Sequence, residues 1–435
     1  MTDDYVIVNA KDTKELDYSE GQEELEFTYD GKAGVRMNLF NRLVFAAKYG
    51  DFRMLVSGFI SNDSRLLLNR QILERVNIAA PFLHYEKDAY VVIDKDGRLK
   101  WVVDIYTTTN NYPYSQTMGG GYNYIRNPAK AVVDAYDGDV KYYITDQADP
   151  IIKAYEKAYP TLFEKTAMPD DLLSHVRYPE ALFKVQANIF ATYHMTNAGS
   201  FYNRSDAWKI AMEHSQGQGA QPKEMDAYYN LMKLPDVSDK EELALMLPYT
   251  LEKKENMVSW LAARSDKDHY GQLVLYKFPK GENVYGTEQI EKRIESDPEI
   301  SKDMSLWRSG GSNVIPGNLL VIPVNRSILY VEPVYITATG QTSLPEIKRV
   351  IVAYGEKIIM QPTLELALKG IFGGAVPKVT DTGENLEGLI SRAFNDFKSV
   401  KGSSATGDWE GFGKSLKQLE DTLNRMNEKQ GVLKP

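Results

Sequence analysis

Two aspartates and an arginine are the side chains in this sequence whose chemical types could support catalysis. Asp104 and Asp134 lie in β-rich stretches, and Arg126 lies between them. Two carboxyl groups about 5 to 9 Å apart can cleave a glycosidic bond, one as the acid and the other as base or nucleophile. The set predicts, as one alternative, a glycan hydrolase or transferase. Carboxylates are common on hairpin faces, so solvated residues at these positions are the favoured alternative.

A loop rich in tyrosine and glycine is a second candidate site, and its residue types favour binding over reaction. Tyrosines flank the glycine-rich stretch 118–121. A tyrosine ring offers a large contact area with one polar group, as binding surfaces require. The predicted binding residues are Tyr106, Tyr112, Tyr114, Tyr122, Tyr124, Arg126 and Tyr136. The alternative is that these rings cover a hydrophobic core beneath the flanking hairpins.

Other kinds of site find little support. The chain has no cysteine, and its five histidines, at 84, 175, 194, 214 and 269, show no pair spaced three or four residues apart. We therefore predict no metal site and no cofactor. A net charge of -9 and a pI near 5.3 argue against nucleic acid as a partner. The Gly411–Ser415 string has only part of a phosphate-binding loop and no strand before it, so we expect no nucleotide.

The elements that would hold these residues follow from hydrophobic periodicity. Helical spacing predicts helices in 36–80 and 149–208, and alternating apolar residues predict hairpins in 89–146 and 226–360. Met37, Phe40, Val44 and Ala47 predict an amphipathic helix closed by Gly50.

Within the second β-rich region, 257–264 and 288–294 are predicted to be short helices. Strand and crossover helix do not alternate regularly, which predicts an α+β fold with mainly antiparallel sheets.

The C-terminal part reads as a separate helical unit. We predict a main body over 1–372, a linker over 373–384 rich in Gly, Pro, Thr and Asp, and a mobile helical hairpin over 385–435. Its second helix resembles the opening of helical-repeat hairpins at Gly407–Trp409, which suggests a contact with another protein.

No stretch approaches the ~18 consecutive apolar residues of a membrane helix, and the N-terminus lacks a basic region followed by an apolar one. By itself the chain is expected to be soluble and to carry no export signal.

Several sequence strings together resemble an uncharacterised family of large bacterial membrane proteins. The strings are Asp3–Val8, Tyr106–Thr108, Tyr112–Ser115, Asn123–Asn127, Val133–Gly138, Tyr193–Met195, Trp260–Arg264 and Gly317–Pro323. In that family several N-terminal membrane spans precede a soluble region outside the cytoplasm. The spans are absent here, so Met1 would begin a truncated form.

The resemblance implies a location at the bacterial cell membrane, with the soluble part extracytoplasmic, and the missing membrane region as a partner. It supplies no catalytic residue. We expect a non-enzymatic binding or assembly module that uses the Tyr/Gly-rich loop, with another envelope protein or a glycan as partner. The alternative is an envelope glycan hydrolase or transferase that uses Asp104, Asp134 and Arg126.

Overall fold

A computed structural model of the protein describes residues 5–20, 23–213, 221–279, 281–324, 327–338, 344–373, 393–401, 411, 414–420 and 422–423. These residues form a mixed α+β structure with mainly antiparallel sheets, as predicted. They divide into two compact units. The first comprises Met1–Ile347 and Ala353–Gly355, and the second comprises Lys348–Val352 and Glu356–Pro435.

The first unit begins with a small sheet and three helices. Its elements are β1 (Tyr5–Val8), β2 (Glu15–Glu20), β3 (Glu23–Phe27), β4 (Val35–Arg36), α1 (Leu39–Tyr49), α2 (Arg53–Val56), β5 (Arg65–Leu68) and α3 (Ile72–Ala79). Strand β5 pairs with both β1 and β4, so this part of the region predicted to be helical is a strand. The sheet partners of β5 come from distant positions, which helical periodicity cannot detect.

The side of helix α1 that packs against the core is not the side that the sequence pattern predicts. Met37 is buried ahead of it, and Ala46 is the buried residue of the helix itself, with Phe45 and Tyr49 packed beside it. Phe40 and Val44, which share the predicted apolar stripe, are exposed. The helix is therefore apolar on two sides, and in the described part of the chain one side is packed while the other is exposed.

The next sheet is the one that positions the candidate site. Its strands are β6 (His84–Tyr85), β7 (Tyr90–Ile93), β8 (Leu99–Thr109), β9 (Tyr124–Asp134) and β10 (Val140–Ile144), in the order β10-β9-β8-β6 with β7 also on β8. The two predicted hairpins are joined by the long pairing of β8 with β9. Both faces are covered, since Val103 and Ile105 belong to one core cluster and Val102 and Val132 to another.

Helices follow this sheet, as predicted. They are α4 (Pro150–Ala158), α5 (Asp170–Leu173), α6 (Glu180–Tyr193) and α7 (Ala198–Asn203). Asp149 caps α4 by accepting a hydrogen bond from the backbone N–H of Ile152 at 2.8 Å, and Pro150 occupies the first turn. Pro179 precedes α6, whose buried residues Phe183 and Ala187 fix the side that faces the core.

A further antiparallel sheet includes a strand in a segment that the sequence pattern predicts to be a helix. Its strands are β11 (Trp208–Ile210), β14 (Tyr228–Met232), β15 (Glu242–Leu251), β16 (Met257–Arg264) and β17 (Leu273–Lys277), and β12 (Met212–Glu213) pairs separately with β13 (Lys223–Glu224). The predicted helix over 257–264 is wrong, because this segment is strand β16 between β15 and β17. Leu261, Ala262 and Ala263 are all buried, and a strand covered on both faces shows a continuous apolar run that resembles a buried helix.

The first unit continues with two helices and three further strands. They are α8 (Thr287–Ser296), α9 (Pro298–Ser309), β18 (Ser312–Pro316), β19 (Leu320–Val324) and β20 (Ser327–Ala338). The predicted helix over 288–294 is confirmed, and α9 was not predicted. Strands β18 and β19 both pair antiparallel with β20. The turn predicted at Asn325 and Arg326 lies outside the described residues.

The second unit takes part of β21 (Glu346–Tyr354), together with β22 (Lys357–Gln361) and α10 (Leu364–Phe372). Thr363 caps the start of α10, and Gly373 ends it at a φ of 90°. Residues 393–401 and 414–420 are helical, and Thr422 Oγ1 donates a hydrogen bond to Asp396 Oδ2 at 2.8 Å. The predicted linker from 374 onward, and Gly407–Trp409 of the predicted helical hairpin, lie outside the described residues.

Candidate functional site

The Tyr/Gly-rich loop between β8 and β9 is held by the side chain of Asn123. Its amide oxygen accepts a hydrogen bond from the backbone N–H of Tyr112 at 3.0 Å, and its amide nitrogen donates to the carbonyl of Tyr112 at 2.7 Å. Ser115 Oγ donates to the carbonyl of Asn123 at 2.6 Å. These bonds close the base of the loop across eleven residues.

The tip of the loop is a tight turn that needs glycine. The N–H of Met118 donates to the carbonyl of Tyr122, and the N–H of Gly121 donates to that of Met118, both at 2.9 Å. Gly121 has a φ of 78°, a conformation that glycine adopts without steric cost. A Cβ atom on Gly120 would lie 2.4 Å from Cε1 of Tyr122, so a larger residue there would force the Tyr122 ring to move.

Tyr124 is fixed from below by the buried carboxylate of Asp149. Asp149 accepts hydrogen bonds from the hydroxyls of Tyr124 and Thr107, the latter at 2.8 Å, in addition to capping α4. Burial, and then the bond to Asp149, raises the pKa of the Tyr124 hydroxyl. The ring of Tyr112 stacks on that of Tyr124 with centroids 5.3 Å apart. One anchored ring thus supports a second ring that is half exposed.

The loop forms one wall of a cleft of about 440 Å³, and the exposed side of α6 forms the other. The loop wall contains Tyr114, which is fully exposed and holds a φ of 56°. The helix wall contains Ile189 and Tyr193, which are exposed although they continue the apolar stripe that begins at buried Leu182. We call this space the loop cleft. Its remaining lining residues are Ser115, Gln116, Met118, Tyr122, Asn123, Tyr124, Ile125, Leu182, Val185 and Gln186.

Three of the six predicted binding tyrosines do not line the loop cleft, and of these Tyr112 is joined to it through its stack on Tyr124. Tyr106 is buried in β8 and donates a hydrogen bond to Glu86 at 2.5 Å; burial, followed by the charge of Glu86, raises its pKa. Tyr136 is exposed just beyond the far end of β9 and lies beneath the guanidinium of Arg98. It lines a different cavity of about 750 Å³. The structure therefore brings together Tyr112, Tyr114, Tyr122 and Tyr124.

The structure does not bring together the proposed catalytic set. Lys100 is opposite Asp134 across the β8–β9 pair and lies four residues from Asp104. At about 3.3 Å per residue this separates the two aspartates by roughly 13 Å along the sheet, beyond the range for glycoside chemistry. Arg126 is exposed and forms an ion pair with Asp146 at 2.8 Å.

Each of the two aspartates is instead engaged by a lysine. Lys100 forms an ion pair with Asp134. Burial alone would raise the pKa of Asp134, but the contact with Lys100 and the hydrogen bonds from the N–H groups of Asp137 and Tyr136 lower this pKa to about 2. Asp104 forms a fully buried ion pair with Lys130. A carboxylate with a pKa near 2 stays ionised at neutral pH, so Asp134 is unsuited to donate a proton there.

The Lys130–Asp104 ion pair belongs to a larger polar network on that face of the sheet. Lys130 Nζ also contacts Asn127 Oδ1 and the hydroxyl of Tyr270, both at 3.0 Å. Tyr270 comes from the turn between β16 and β17, 140 residues away along the chain. Three polar contacts satisfy the three ammonium donors, which explains how a lysine tolerates burial.

Sequence reasoning missed the residues that build the cleft from outside the loop. Asn123 and Asp149 act through hydrogen bonds that residue type alone does not reveal. Ile189 and Tyr193 lie in the region 149–208 predicted to be helical, where they follow ordinary helical spacing, and the signal that could have singled them out is their position near the C-terminal end of α6.

Two further findings concern the described part of the chain. Within it, we find no group of three or more His, Cys, Asp or Glu side chains placed to hold a metal ion. No helix there combines the length and apolar character needed to cross a membrane.

Comparison with known proteins places the chain in a family. A UPF0182 protein from Caldicellulosiruptor saccharolyticus is 47% identical over 98% of this chain and 48% of its own length. A UPF0182 protein from Methanospirillum hungatei is 45% identical over 94% of this chain and 47% of its own length. The chain spans about half the length of the curated relatives it matches. No solved structure matches it. The family pattern described as "Uncharacterised protein family (UPF0182)" covers residues 1–307, and the chain belongs to this family.

Proposed function

We propose that the chain is a non-enzymatic binding module of a membrane-anchored envelope protein, and that the loop cleft holds an extended segment of another protein. The observation that carries this proposal is the pair of facing walls: exposed Tyr114 on the loop, and exposed Ile189 and Tyr193 on α6. Exposed aromatic and aliphatic side chains around a concavity favour an apolar segment as occupant.

The hydrogen-bonding groups in the cleft favour a peptide. Ser115, Gln116 and Gln186 line it beside the rings. The Ser115 hydroxyl already donates to Asn123 and the Gln186 oxygen already accepts from Tyr178, but the Ser115 oxygen can still accept and the Gln186 amide nitrogen can still donate. These groups can pair with peptide N–H and C=O groups, while the rings supply contact area. The bonds from Asn123 hold the loop wall in place before a ligand arrives, which lowers the entropic cost of binding.

The alternative of a glycan hydrolase or transferase has weaker support. The roughly 13 Å between Asp104 and Asp134, and the lysine paired with each of them, leave neither carboxylate placed for acid or base work. We therefore favour binding over catalysis.

Site-specific photo-crosslinking tests the cleft. A photoreactive residue at Gln116, in the family's full-length membrane form in cells, should give a crosslinked protein whose yield falls at least about tenfold in Tyr114→Ala and Tyr193→Ala, the loss expected for anchor rings. Tyr202→Ala is the matched control, because Tyr202 is exposed and does not line the cleft. Equal yields from all three variants, or adducts with glycan alone, would count against a protein ligand.

We also propose that the chain lies outside the cytoplasm, beside membrane spans located in the part of the relatives that it does not match. The relatives are about twice as long as the chain, which is compatible with such spans.

These 435 residues contain no cysteine, so Asn111→Cys in the loop would add one thiol to this part of the full-length form, with the unsubstituted full-length form as the reference for labelling. A membrane-impermeant maleimide should label that thiol in intact cells that make the full-length form. Labelling only after lysis would place the domain inside.

A further inference from the structure

Helices α1 and α2 expose an unusual amount of apolar surface. Seven apolar side chains between residues 39 and 59 are 44% to 75% exposed, and we call them the outer apolar patch. They are Leu39, Phe40, Leu43, Val44, Phe52, Val56 and Phe59. Single exposed apolar residues are normal, but a dense group of this kind marks a contact surface.

Among the residues that the structure describes, the side chains on this side of α1 stay exposed. The opposite side is already packed, with Ala46, Phe45 and Tyr49 against the cluster formed by Met37, Met54 and Leu66. Leu39 and Leu43, like Phe40 and Val44, are four residues apart and so form a stripe along the helix. A stripe of this kind lets the 11-residue helix lie flat on an apolar layer.

The charged residues near the outer apolar patch indicate which kind of apolar layer the patch fits. Residues 36–60 contain four basic residues, Arg36, Arg42, Lys48 and Arg53, and one acidic residue, Asp51, which gives +3 in a chain whose net charge is -9. Asp51 is engaged by Arg53 at 2.9 Å and by the Tyr5 hydroxyl at 3.1 Å. Arg36, Lys48 and Arg53 are exposed. Apolar side chains within a basic rim match anionic lipid headgroups above an acyl layer.

We infer that α1 and α2 lie on the surface of an anionic lipid bilayer, with the outer apolar patch inserted at the boundary between headgroups and acyl chains. The patch shares no residue with the loop cleft, so this inference does not rest on the binding function proposed above.

Vesicle flotation of the 435-residue chain tests the inference. The protein should float with vesicles that contain phosphatidylglycerol, less so with phosphatidylcholine alone, and less so as salt is added, because salt screens the basic rim. Combining Phe40→Ser, Leu43→Ser, Phe52→Ser and Phe59→Ser should lower the bound fraction at least about tenfold. Ile93→Ser with Leu306→Ser is the control, since these residues are equally exposed elsewhere.

A second readout protects the test against a patch variant that fails to fold. Phe52→Cys in this cysteine-free chain can carry an environment-sensitive dye, whose emission should shift to the blue on adding phosphatidylglycerol vesicles. The same dye at Ile93→Cys should not shift. Three outcomes would overturn the inference: no flotation, flotation unchanged in the patch variant, or patch-dependent self-association without vesicle binding, which would make a second copy the occupant.

Discussion

The amide side chain of Asn123 pairs with both backbone groups of Tyr112, accepting from its N–H at 3.0 Å and donating to its carbonyl at 2.7 Å. The side chain thus takes the place of a strand partner just beyond the β8–β9 ladder. It fixes where Tyr112 and Tyr114 leave the sheet, and hence the loop wall of the cleft.

Replacing Asn123 should loosen the loop while leaving the fold intact. In Asn123→Ala both bonds to Tyr112 are lost, and the free energy of unfolding should fall by roughly 1 to 2 kcal/mol. Hydrogen exchange should speed up at residues 110–123 and stay unchanged in β8 and β9. Asn111→Ala, in the same exposed loop, is the control. Unchanged exchange in the loop would show that Asn123 does not hold it.

Replacing Asp149 should lower the free energy of unfolding far more than replacing the nearby Asp146. Asp149→Ala leaves the hydroxyls of Thr107 and Tyr124 without their acceptor and removes the cap of α4, so we expect a loss of roughly 2 to 4 kcal/mol. Asp146→Ala removes a partly exposed ion pair with Arg126 and the hydrogen bond that Asp146 accepts from the N–H of Ala148, and should cost about 1 kcal/mol. Urea unfolding of the two variants measures the difference, and similar losses would contradict this account.

The Lys130–Asp104 ion pair should show strong coupling. Lys130→Met or Asp104→Ala alone strands a buried charge and should cost about 3 to 5 kcal/mol. The double variant removes both charges and should lose less than the sum of the two single losses. A double-mutant cycle by urea unfolding measures this coupling. Additive losses would indicate that the two charges are solvated independently.

Glu332 should make stability depend on pH. Burial, and then the charges of Glu291 and Glu295, raises the pKa of this carboxyl in β20 to about 8, above its unfolded value near 4.5. The folded state therefore binds the proton more tightly. The resulting stability is fully present below about 4.5, declines as pH rises, and is lost above about 8.

The variant Glu332→Gln should remove that pH dependence and be the more stable protein at high pH. The slope should reach at most about 1.4 kcal/mol per pH unit in the wild type. Unfolding in urea across pH 5 to 9 would measure it. The assignment would be contradicted if the wild type were as stable at the upper end of this pH range as at the lower end, and if Glu332→Gln showed the same pH profile.

Local pattern was enough to predict the antiparallel class, the β8 and β9 strands, and the helices after Asp149. It failed at β16, because eight apolar-rich residues fit a buried helix as well as a central strand, and the strands on either side decide between them. It failed similarly at β5.

Of the two walls of the loop cleft, only the loop wall could be predicted from the sequence. The sequence indicates the loop wall, because tyrosine and glycine are concentrated in that stretch. The facing wall, with Ile189 and Tyr193, lies about seventy residues later in the chain and shows an ordinary helical pattern. Residue type does not reveal which residues lie opposite each other in a sheet, so the sequence allowed Asp104 and Asp134 to be paired. In the observed strand register a lysine lies opposite each aspartate.

The contact of Lys130 with Tyr270 has a consequence for how the first unit folds. The lysine belongs to the sheet of β6 to β10, whereas one of its three polar partners arrives 140 residues later, from the turn between β16 and β17. Until that turn is in place, the earlier sheet carries an ammonium group that is incompletely satisfied. The two sheets should therefore gain their full stability together, as one cooperative transition, and a fragment ending before the second sheet should be less stable than its own apolar core suggests.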